Sequence, residues 1–248
     1  MNNYREETLA ELHIWQKAML KKPTLLGRLS KKLQLKINSY IPEKVHTAIT
    51  VAIKQTIRGV LFGAGITTSI PPEERSFEVK EAIIKERITF YQKTASVEGG
   101  ITGAGGILLG LADFPLLIGI KLKLLYDIAA LYGFNTSDYK ERLYILYIFQ
   151  LAFCSQEQRR KVYLQMADWD AHVRQLPEDI NAYDWRLFQQ EYRDYIDLAK
   201  MAQLVPVIGA PVGAVVNYQL LKKLGMTAMN AYRMRFAPKL LEDRAAIY

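Results

Sequence analysis

By spacing, the residues most suited to chemistry are Asp168, Asp170 and His172 in the pentapeptide DWDAH. On a helix Asp168 and His172 stand one turn apart, so a carboxylate and an imidazole could share a divalent ion or relay a proton, with Glu98 or Asp113 as a further acid or base. A stable metal site generally needs a third and fourth ligand, and the remaining histidines, His13 and His46, are far off in sequence. The expectation is therefore an Asp–His pair on the edge of a helix, with a hydrolase or metal enzyme kept as the alternative.

The other chemical signals are weaker. Cys154, the one cysteine, sits in LAFCS among apolar neighbours that would raise rather than lower its thiol pKa. Gly103, Ala104 and Gly105 begin a GxG, but Leu108 stands where a dinucleotide fingerprint needs glycine, and Ile107 follows Gly106 where a phosphate loop needs lysine. No cofactor is expected.

Two polar residues stand out against apolar surroundings. Asp113 interrupts the run GGITGAGGILLGLADFPLLIGI, residues 99–120, and is costly to bury unless it is paired, hydrogen-bonded or protonated. Asp before an early Pro115 is a common helix start, so a cap explains both residues; a contact with Lys121, Lys123 or a ligand is the alternative. Asn217 follows the second apolar run, LVPVIGAPVGAVV at 204–216, and is expected to satisfy a backbone group or a neighbouring helix.

These residues must be positioned by helices. Apolar residues recur at three- and four-residue spacing, as in Val162, Met166, Trp169, Val173 and Leu176 and in Phe188, Tyr192, Tyr195, Ala199 and Ala202, while strand-like alternation is confined to Leu33 to Ile37. The fold class is all-α, a single helical domain over 1–248. About ten helices are expected, near 5–21, 25–39, 43–62, 72–94, 97–111, 115–132, 137–154, 156–175, 184–204 and 209–234, the last broken near Gly225. Gly133 marks another helix end. Glycine-rich apolar segments at 97–132 and 204–234 should pack in the core, since pairs such as Gly209 and Gly213 clear one helix face for a close neighbour. Asp113, Pro115 and the glycines also argue against a membrane-spanning helix at 99–120.

Charge is unevenly distributed. The net charge is +8, yet residues 17–58 hold ten Lys or Arg against one Glu, and residues 200–239 hold six basic residues and no acid. The stretch between them, 59–199, has 15 basic and 19 acidic residues. Segregated positive charge attracts polyanions. No nucleic-acid module is recognisable, so an anionic membrane surface or a membrane protein is the expected partner. The basic helices of 1–60 give the clearest signal: Leu26, Leu29, Leu33 and Ile37 form a stripe with Arg28, Lys31, Lys32 and Lys36 beside it, the pattern of a helix at a lipid surface. The single cysteine and an acidic, polar amino terminus point to the cytoplasm.

The sequences LADFPLL, YGF and ER between 111 and 142, with PVIGAPVGAVVNYQLLKKLG at 206–225, resemble the EcsC family, from about Trp15 to Phe236. Asp113, Pro115, Lys121, Lys123, Gly209 and Asn217 fall in the most similar regions and are the motif or binding candidates. That family is named for a bacterial operon that also encodes an ABC transporter. The resemblance implies a non-enzymatic accessory or adaptor role at the cytoplasmic face of the membrane, and no catalytic residues. A lipid or fatty-acid binding protein, with an apolar ligand between glycine-rich helices, is a further alternative.

Overall fold

The computed structural model describes residues 2–21, 51, 57–60, 68, 71, 75–104, 114–154, 156–178 and 210–245. Among them every regular element is helical, as the apolar spacing predicts. The helices are α1 (Asn2–Leu20), α2 (Phe77–Ala104), α3 (Phe114–Tyr132), α4 (Tyr139–Phe153), α5 (Gln156–Ala167), α6 (Trp169–Arg174) and α7 (Ala210–Ala245). The helices expected at 25–39 and 184–204, and that at 43–62 apart from 51 and 57–60, lie outside the described residues, as do Arg28, Lys31, Lys32 and Lys36.

The frame is three long helices, α2, α3 and α7, in mutual contact. α4 lies against α7, and its residues 143–153, apolar but for Gln150, are buried without interruption, so this stretch has no solvent face. Asp138 starts it by accepting a hydrogen bond from the Lys140 amide at 2.9 Å. α3 stops where sequence places the stop. Gly133 has φ +93°, its amide donates to the Ala130 carbonyl, and the Phe134 amide donates to that of Ala129, which is a Schellman closure.

Three expected boundaries are corrected. Helices anticipated at 72–94 and 97–111 are one element, α2, which runs through Gly99 and Gly100 to Ala104. The break anticipated near Gly225 is absent, because α7 is continuous there and uses the glycine to admit Ile88 of α2. A Cβ on Gly225 would lie 2.6 Å from Ile88 Cγ1. The helix anticipated at 156–175 is instead two, α5 and α6, separated at Asp168, whose φ of −114° and ψ of 52° leave the helical region. Beyond this break Trp169 is buried, with edge contacts to Tyr144 and Tyr147. The stripe of Val162, Met166, Trp169, Val173 and Leu176 still faces the core.

Candidate functional site: a polar spine between three helices

The interface of α2, α3 and α7 is not uniformly apolar. α2 runs antiparallel to α7, and polar side chains cross between the helices at intervals along their length. Ser96 Oγ donates to the Ala214 carbonyl and Gln92 Nε2 to the Tyr218 carbonyl, each at 3.3 Å. At the same level Lys121 of α3, 0% exposed, donates to Asn217 Oδ1 of α7 at 3.3 Å. Two of the motif candidates are thus brought together in the interior. Lys121 is an interior cation rather than a surface one.

One step further along α3, Asp127 is buried and accepts from Tyr91 Oη through one oxygen and from Thr68 Oγ1 through the other, both at 2.7 Å. Lys123, another candidate, lies 2.9 Å from Asp127 and 2.5 Å from the Thr68 hydroxyl. Thr136 in turn accepts from the Thr68 amide at 3.3 Å. These contacts fasten Thr68 to α3 and to the turn after it. Tyr91 is pushed above its ordinary phenol range by burial and by the Asp127 carboxylate.

The strongest electrostatic feature is Glu81 of α2, 0% exposed, against Arg233 of α7, 1% exposed. Arg233 Nε and Nη2 donate to the two Glu81 oxygens, each at 2.7 Å, a bidentate pair. Tyr132 Oη donates to Oε1 at 2.8 Å and Tyr4 Oη to Oε2 at 2.7 Å. Arg233 Nη1 donates to Glu11 Oε2 at 2.9 Å, so α1 is tied to the pair twice. Burial pushes Glu81 up, but Arg233 and the two phenols outweigh it and hold the carboxyl below its ordinary range.

A second pair lies beside the first. Arg235 Nη1 donates to Glu141 Oε2 and Tyr232 Oη to Oε1, both at 2.7 Å, while the Arg235 guanidinium sits 3.8 Å from the centroid of Phe134. Here burial wins. Glu141 is held above its ordinary range in spite of Arg235, whose side chain keeps part of its hydration.

The two carboxylates therefore carry opposite pH dependence. With its folded pKa lowered, Glu81 contributes stability that is full above the ordinary value of 4.5 and is lost as the pH falls through its folded pKa. With its folded pKa raised, Glu141 costs the fold stability as pH rises from 4.5 through that higher value. For Glu141→Gln, the unfolding free energy relative to wild type should decline as the pH is lowered from neutrality towards 4.5. Urea unfolding across that range measures it; a flat or rising difference contradicts the assignment.

Glu81 is saturated by its partners. A carboxylate with four donors and no exposure has no lone pair left for a substrate proton. The cluster singled out for chemistry is not assembled either. Asp168 and Asp170 are exposed, whereas His172 is half-buried with Nε2 3.0 Å from Tyr147 Oη, and burial lowers its pKa. Among the described residues no group of three or more His, Cys, Asp or Glu could hold a metal ion. Asp113 and Gly209 lie outside the described residues, and Pro115 is the second residue of α3.

The sequence model of the EcsC protein family matches residues 6–236. The chain belongs to the EcsC protein family. It is 41% identical over 222 residues to Protein EcsC of Bacillus subtilis (strain 168), covering 89% of this chain and 91% of that protein. It is 32% identical over 158 residues to Uncharacterized protein YdbA of the same organism, covering 64% of this chain and 57% of that protein. No solved structure matches. In this EcsC family protein the matched range contains Glu11, Glu81, Asp127, Glu141, Arg233 and Arg235; Tyr4 falls just before it. Sequence reasoning passed over Glu81 and Arg233. The available signal was register, since Glu81 falls on the apolar stripe of Phe77, Ile84 and Ile88.

Proposed function

We propose that the protein is a non-enzymatic accessory or adaptor protein that acts at the cytoplasmic face of the membrane. The observation that carries this reading is the segregation of charge, +9 over residues 17–58 and +6 over 200–239 against −4 between them. A leaflet rich in anionic lipid attracts such segments, each nearby Lys or Arg contributing about 1 kcal/mol. The mutual saturation of the described interior charges agrees with a binding role, because those groups face one another rather than an open cleft. A membrane protein is the alternative anchor, and the family's operon association adds an ABC transporter to the proposed partners.

The test is charge reversal. Arg28→Glu, Lys31→Glu and Lys32→Glu together should reduce co-sedimentation with vesicles containing phosphatidylglycerol by well over tenfold, on about 1 kcal/mol per basic residue removed. The melting temperature should stay unchanged. Undiminished binding contradicts the surface assignment, and loss of folding means that the stripe of Leu26, Leu29, Leu33 and Ile37 is core.

A further inference from the structure

The register of the three long helices brings their glycine-rich, charge-free ends to one pole. The bonds Ser96 to Ala214 and Gln92 to Tyr218 set α2 antiparallel to α7, and the bonds Tyr91 to Asp127 and Tyr132 to Glu81 set it antiparallel to α3. The last residues of α2, GGITGA at 99–104, therefore end beside the first residues of α3, FPLLIGI at 114–120, and of α7, APVGAVV at 210–216. None of these three stretches contains an ionisable residue, although Glu98 and Asp113 flank them in sequence.

At and just below this pole three large apolar or aromatic side chains are exposed. Val215 is 62% exposed, Phe90 56% and Tyr218 37%. Singly such residues are ordinary. Here all three fall within a few residues of the Gln92–Tyr218 contact, a band about one helical turn deep at 1.5 Å per residue. Exposed Lys93 lies within the band, and exposed Arg87 on α2 and Lys222 on α7 lie below it, with Glu86 an exposed acid among them. A charge-free tip, an aromatic band and a mainly basic rim follow the order of a membrane interface from acyl region to headgroups. Among the described residues no helix is long and apolar enough to cross a membrane, so contact of this kind is shallow.

We infer that this pole is the end of the bundle that seats in the membrane, at the boundary of headgroups and acyl chains of an anionic bilayer. The occupant is lipid rather than protein on charge grounds, because the rim is mainly positive around helix ends that contain no ionisable residue. The inference rests on the reading that the chain works at a membrane surface, and its test separates the two.

Val215→Cys and, at the other end of α2, the exposed Val79→Cys are each made in a Cys154→Ser background. Serine keeps the buried donor that Cys154 Sγ directs at the Leu151 carbonyl. Both chains are labelled with an environment-sensitive fluorophore and mixed with vesicles of phosphatidylglycerol and phosphatidylcholine, with and without nitroxide-bearing lipid. The expected result is a blue shift, a several-fold rise in emission and nitroxide quenching at position 215, with none of these at 79. Unlabelled Phe90→Gln should bind the same vesicles about tenfold more weakly with an unchanged melting temperature. If the wild-type chain co-sediments with vesicles while the label at 215 stays in water, the pole assignment is wrong and the membrane reading stands. If the wild-type chain does not bind, both fall.

Discussion

Replacing Arg233 by methionine should destabilise the protein by about 3–5 kcal/mol, the usual cost of removing one partner from a buried ion pair. The reason is what remains. Glu81 is fully buried, and without the guanidinium its charge is supported by the Tyr4 and Tyr132 hydroxyls alone. Desolvation, already the largest influence on Glu81, is then opposed by much less and drives the carboxyl pKa upward. Glu11 loses its partner as well, so α1 should loosen, and proteolysis before Leu20 should accelerate. Changing both residues, as Glu81→Leu with Arg233→Met, removes the stranded charge and should cost less than Arg233→Met alone. Urea unfolding followed by circular dichroism of Arg233→Met, Glu81→Leu and the double variant measures these costs. A double variant as unstable as the sum of the single ones would refute the coupling.

Substitution at Gly225 should destabilise the protein, because Ile88 fills the space that a side chain would need. Alanine is better than glycine in a helix by about 1 kcal/mol, which by itself favours the variant. The new Cβ, however, would stand 2.6, 2.8 and 3.0 Å from Cγ1, Cδ1 and Cγ2 of Ile88, and Ile88 is buried with little room to turn. Overpacking of this kind costs about 1–3 kcal/mol, so Gly225→Ala should be destabilising on balance and Gly225→Val should lose about 3 kcal/mol or more. Combining Gly225→Ala with Ile88→Ala frees the space on the facing helix. The double variant should be clearly more stable than the sum of its parts, and strict additivity would mean that α2 and α7 do not meet at this point.

The same glycine shows where sequence reading ends. The bounds of α3 and α4 were legible to within two residues, because Gly133 gives a positive-φ stop and the apolar spacing is regular between the caps. Gly225 reads as a break in the sequence alone, since it lacks a side chain that would hold a helix to its neighbour. The facing helix supplies what is missing at 225, and that information is held 137 residues away, at Ile88. Asn217 is legible as a polar residue in apolar company and Lys121 only as a contact for Asp113, and their pairing across 96 residues has no local signature. The Glu81–Arg233 pair spans 152 residues and is equally silent, apart from the register that sets Glu81 on an apolar stripe. Helical type is written in short-range spacing; the polar spine, and the continuity of α7 at Gly225, depend on which long helices adjoin.

Co-sedimentation of the wild-type chain with vesicles tests the account most directly, because both the charge segregation and the apolar pole require an anionic bilayer to act on. The account predicts binding to phosphatidylglycerol vesicles at low ionic strength, little binding to purely neutral vesicles, and marked weakening as salt shortens the screening length from about 30 Å at 0.01 M to about 8 Å at 0.15 M. A chain that stays in the supernatant with anionic vesicles at low salt would contradict it.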